Sequence, residues 1–158
     1  FEQTDRPALV LLTRQGLPVF DRKEYPSAEE FRKGGYIMSD CTGDPDVVII
    51  ATGSEVWVSL KVREILKDLR VRVVNLGCWE IFDEQSEDYR NKVLGPQSVP
   101  RVSIEAGITT GWEHYTGLNG INIGINTFGE SAPGNEVAEH FGIIPEKRAD
   151  RTRNHLKL

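Results

Sequence analysis

The feature that most constrains the fold is Val47-Val48-Ile49-Ile50-Ala51, five apolar residues that run without a break into Thr52-Gly53-Ser54-Glu55. A run with no polar alternation suits a strand buried on both faces, the situation inside a parallel sheet. Downstream, Val58, Val62, Ile65, Leu66 and Leu69 share one helical face, while Lys61, Glu64, Lys67 and Asp68 fall elsewhere. This spacing predicts an amphipathic helix. Thr52 and Glu55 have the spacing of a capping box, so the strand is expected to turn directly into a capped helix.

The same reading predicts strands over 8–12, 36–38, 71–76, 101–105 and 121–125, and helices near 86–94 and 135–141. Strands alternating with helices indicate an α/β fold, here a three-layer α/β/α sandwich with a mixed, mostly parallel sheet. Only residues 39–45 separate strand 36–38 from the next, too short for a parallel crossover, so one strand is expected to be antiparallel. Residues 21–33 carry four acids and four bases around Tyr25-Pro26-Ser27 and read as a solvated connection between two domains. The tail 145–158 has five bases and two acids and reads as a helix or a loose end.

Composition narrows the setting. The 158 residues amount to about one domain. Against 24 acids, 19 bases leave a net charge of -5, which opposes a general attraction to nucleic acid or to anionic membranes. No apolar run approaches the ~18 residues of a membrane span. Cys41 and Cys78 are isolated, with no metal-ligand spacing, and the default expectation is a soluble, cytoplasmic protein. The chain opens on Phe1, without an initiator Met, which suggests that an N-terminal part is missing.

Candidate chemistry is sparse. The Thr52–Glu55 turn offers free helix amides to a small anion or a nucleotide, or is simply a helix start. His114, His140 and His155 are far apart in sequence and lack ligand-like partners. Ser54 lacks the second glycine of a nucleophile elbow, and Ser131 lies in a Gly-rich turn. Arg14 stands just past a predicted strand, where α/β folds place ligands, and its guanidinium suits a phosphate or carboxylate. A salt bridge from Arg14 to Asp21 or Glu24 is equally consistent with the spacing.

Leu11-Leu12-Thr13-Arg14-Gln15-Gly16-Leu17-Pro18-Val19 resembles the S/T-R-Q-N-L-P segment of transketolases, with Gly16 where that family usually has Asn. Pro45 to Val56, Cys78-Trp79-Glu80-Ile81-Phe82-Asp83, Val99 to Gly107 and Phe128-Gly129-Glu130-Ser131-Ala132-Pro133 continue the resemblance in order, over about residues 8–142. The resemblance implies a thiamine-diphosphate enzyme with a divalent cation (Mg or Ca), a homodimer of the pentose phosphate pathway. Such an enzyme moves a two-carbon ketol unit from a ketose phosphate to an aldose phosphate. Residues 1–20 would end the pyrimidine-binding domain, 21–33 would be a linker and 34–158 the C-terminal domain, to which the family assigns no chemistry. The family's metal and diphosphate segment, its activating glutamate and its substrate histidines have no counterpart here, so the chain alone is expected to be inactive and to support the dimer. Arg14 matches the family arginine that contacts the sugar phosphate. The tail, with Pro145 and Arg148-Ala149-Asp150-Arg151, departs from the regular terminal helix of most relatives.

Overall fold

The computed structural model describes residues 6–13 and 15–157. After a 3-10 helix (Ala28–Lys33), the chain forms β1 (Gly35–Ser39), β2 (Val47–Ala51), α1 (Glu55–Ile65), β3 (Val71–Leu76), α2 (Trp79–Asp83) and α3 (Glu87–Leu94). It continues through β4 (Arg101–Ile104), α4 (Glu113–Thr116), β5 (Ile121–Ile123), α5 (Gly134–His140) and α6 (Pro145–Leu156). The five strands form one sheet in the order β1-β3-β2-β4-β5. β2 pairs in parallel with β3 and β4, β4 in parallel with β5, and β1 runs antiparallel to β3 at the edge.

Two separate apolar clusters explain why β2 has no polar alternation. Val47, Ile49 and Ala51 point to one face and pack with Val56, Leu60, Val62 and Leu66 of the α1 segment and Ala149 of α6. Val48 and Ile50 point to the other, against Phe82, Val93, Leu94, Trp112 and Tyr115. All five β2 residues are fully buried, and burying one such Ile or Val side chain stabilises the fold by ~1.5–3 kcal/mol. Helices therefore cover both faces, and the expected three-layer sandwich with a mixed sheet is the one observed.

Three local expectations need correction. Residues 8–12 form no strand: Leu9, Leu11 and Leu12 are 84%, 84% and 85% exposed. A buried strand needs neighbours, and none of the described strands pairs with this run. The Thr52–Glu55 capping box does not form either. Gly53 takes φ +56, the Thr52 carbonyl accepts from the Glu55 amide at 3.1 Å, and the helix starts only after Ser54. Glu55 is thus the first helical residue rather than the third, so it cannot reach back across the turn. Finally, the buried face of α1 includes Val56, Ser59 and Leu60, whereas Ile65 is 39% exposed. Apolar residues occupy more than one side of this helix, and α1 packs against both the sheet and α6.

The tail is a helix. Its inward residues are Arg148, Ala149 and Thr152, and Arg153 Nη1 donates to Asp68 Oδ2 at 2.9 Å, tying α6 to the far end of the α1 segment.

Candidate functional site

Arg14 lies outside the described residues. Its neighbours Leu12, Thr13, Gln15 and Gly16 are exposed, and the Gln15 amide donates to Thr13 Oγ1 at 3.3 Å.

The built part of the molecule is the carboxyl edge of the sheet. From β2 the chain crosses through α1 to β3 on one side, then returns past β2 to β4 on the other. The two directions part at the ends of β2 and β4, the place where open α/β sheets leave a crevice. Glu55, at the start of α1, and Glu105, one residue beyond β4, both stand at this edge. Glu105 Oε1 accepts from the Ala106 amide at 2.8 Å, and that amide also faces the Glu55 carboxylate. Ser54 Oγ donates to Glu55 Oε1 at 2.9 Å. Beneath them Arg148, fully buried, reaches in from α6, and its Nη2 donates to the Glu105 carbonyl at 3.3 Å.

Burial dominates the electrostatics. It raises the Glu55 carboxyl above the ordinary glutamate value, against the opposing pull of the Ser54 hydroxyl and the Arg148 charge. Glu105 is raised by burial and then by the Glu55 charge. Burial brings the Arg148 guanidinium down to about 10, with Arg151 adding to the effect and the two glutamates opposing it. Two carboxylates at the first turn of α1 disfavour a phosphate or nucleotide there, whatever the free amides offer.

Beside Glu105, the loops 106–108 and 125–129 line a shallow, open apolar depression of about 450 Å³, held together by the Ile125 amide donating to the Gly107 carbonyl at 2.8 Å. Ile108 and Phe128 stand on its rim, 65% and 98% exposed.

The other sequence candidates do not converge. His114 lies 3.5 Å from Asp83, His140 lies 3.6 Å from Glu130, and His155 meets the Asn119 carbonyl, each on a different helix. Ser54 is engaged by Glu55, Ser131 is exposed, and neither is hydrogen-bonded to a histidine among the described residues. Cys41 and Cys78 are both free thiols; burial pushes the Cys78 thiol up, away from the reactive thiolate. Among the described residues no group of three or more His, Cys, Asp or Glu could hold a metal ion. The described residues therefore offer no such donor set for a divalent cation. No helix among them is long and apolar enough to cross a membrane.

Sequence reasoning missed Glu105 and Arg148 as a pair with Glu55. A position signal was available for Glu105, directly after a buried strand. For Arg148 the only hint was its place one turn before Thr152 and beside Ala149, small residues that mark an inward helix face.

Residues 34–144 match the model of the transketolase-like C-terminal domain. A transketolase of Aquifex aeolicus is 49% identical over 147 residues, covering 92% of this chain and 21% of the relative. Transketolase 1 of Escherichia coli is 41% identical over 157 residues, covering 98% of this chain and 24% of the relative. Among solved structures, the transketolase of Pichia stipitis in complex with sedoheptulose-7-phosphate superposes with a TM-score of 0.82 at 35% identity, over 91% of this chain and 20% of that one. The chain thus spans about a fifth to a quarter of the length of these relatives. With the order of its motifs, its sheet and this match in agreement, the chain belongs to the transketolase family, and its folded body is the family's C-terminal domain.

Proposed function

We propose that this chain is the carboxyl-terminal part of a transketolase that transfers two-carbon ketol units between sugar phosphates, using thiamine diphosphate and a divalent cation held by the remaining domains. In this reading residues 1–20 end the pyrimidine-binding domain, 21–33 link, and 34–158 are structural, supporting a cytoplasmic homodimer without catalysing the reaction alone. No step of the chemistry is assigned to the described residues.

One observation carries the reading. Leu9, Leu11, Leu12 and Val19 lie bare, 84–96% exposed, in the segment that carries the family's arginine motif. An apolar stretch of that length favours cover by further protein, and the matching relatives are four to five times longer than this chain.

Arg14 then serves as the ligand of the substrate phosphate. A charge-assisted hydrogen bond contributes ~1.5–3 kcal/mol, so in the complete polypeptide Arg14→Ala is expected to raise KM for phosphorylated donors by about 10- to 100-fold. KM for an unphosphorylated ketol donor should stay within about threefold of its original value, since the lost interaction needs a phosphate. Equal losses on both donors in a steady-state assay would remove the phosphate role from Arg14.

A further inference from the structure

Arg148 is an anomaly among the arginines of this fold. Arg63 places Nε, Nη1 and Nη2 on the Val71 carbonyl, Ser39 Oγ and the Asp40 carbonyl. Arg101 places its three nitrogens on the carbonyls of Leu94, Tyr115 and Gly95. Arg148 is more deeply buried than either, yet it makes one hydrogen bond, the 3.3 Å contact to the Glu105 carbonyl. Among the described residues its Nε and Nη1 find no hydrogen-bond partner. It also sits in the first turn of α6, where the helix dipole repels a cation.

A buried cation so poorly hydrogen-bonded persists only where nearby charge compensates it. Neither Glu55, from α1, nor Glu105, at the end of β4, forms a direct ion pair with the Arg148 guanidinium, but both charges act on it at longer range, as does Arg151 on its own helix. The first two are anions, and they also face each other across the Ala106 amide.

We propose that Arg148 is a counter-ion latch, which docks the terminal helix onto the carboxyl edge of the sheet by neutralising the Glu55–Glu105 pair. The latch makes the seating of α6 sensitive to pH. Both glutamates bind protons more readily in the fold than in an open chain, so the fold loses stability as pH rises above the ordinary glutamate value of 4.5. Arg148 opposes that loss, because it favours the ionised carboxylates. Without it, the fall should be steeper and reach higher pH.

The test is hydrogen exchange of the amides of 149–156 in the complete polypeptide, with protection corrected for the intrinsic pH dependence of exchange. Arg148→Met is expected to lower protection by about tenfold or more at pH 8, where both carboxylates are ionised, and by about threefold or less at pH 5. Arg148→Lys, which keeps the cation, should restore pH 8 protection to within about threefold of the original. In a Glu55→Gln, Glu105→Gln background the extra loss at pH 8 should vanish. A loss from Arg148→Met that is the same at both pH values would make Arg148 a packing residue only and overturn the latch. If the Met variant does not fold, the Lys variant decides alone: equal losses at pH 5 and pH 8 overturn the proposal, and near-original protection at both supports it.

Discussion

Residues 8–12 and 47–51 are both five-residue apolar runs, and the fold treats them in opposite ways. Val47 to Ala51 are fully buried between two strands and two helical layers, whereas Leu9, Leu11 and Leu12 are more than 80% exposed. The pattern in each run encodes the same demand for neighbours on all sides. In the first run no described strand meets it; in the second β3, β4, α1 and the α2–α4 layer do. An apolar run states what a strand needs, and the rest of the chain decides whether it is supplied.

Replacing one residue in each run sharpens the contrast most. Ile49→Ala should cost ~2–5 kcal/mol in urea unfolding of the 158-residue chain, because it opens a cavity between packed layers. Leu11→Ala should change stability there by less than ~0.5 kcal/mol. A large cost for Leu11→Ala in that chain would mean that the first run is packed after all.

Glycines mark the same division, with smaller effects. Gly34 stands at φ +77 at the entrance to β1, and a side chain there would collide with the Cys78 carbonyl and the Phe82 amide. Gly34→Ala is expected to destabilise by ~2 kcal/mol or more, read as a lower unfolding midpoint. Gly16, in the exposed segment, has open space around its missing Cβ and no positive φ. Gly16→Asn, which restores the family's usual residue, should stay within ~0.5 kcal/mol of the original by the same measurement.

Much of the fold was legible because it is written in local patterns. The β2–α1 unit, β3, α3, β4 and the antiparallel β1 all follow from runs, periodicities and loop lengths of a few residues. Most of the misses depend on a partner distant in sequence, and one on a local backbone turn. The 8–12 run read as a strand because nothing within it reports missing neighbours. Glu55 read as a cap because the delay of the helix start by Gly53 is a backbone event. The terminal helix showed no apolar stripe because its inward residues are Arg148, Ala149 and Thr152. Of the site, Arg14 was visible through the motif around it. The Glu55–Glu105–Arg148 cluster was not, because its three members come from α1, the end of β4 and α6.

The most direct test of the proposed division is hydrogen exchange at residues 8–13 and 47–51, compared between the 158-residue chain and the complete natural polypeptide. Residues 47–51 should be strongly protected in both, and residues 8–13 open in the short chain but protected in the complete one. Residues 8–13 left open in the complete polypeptide would contradict the assignment of this segment to a preceding domain.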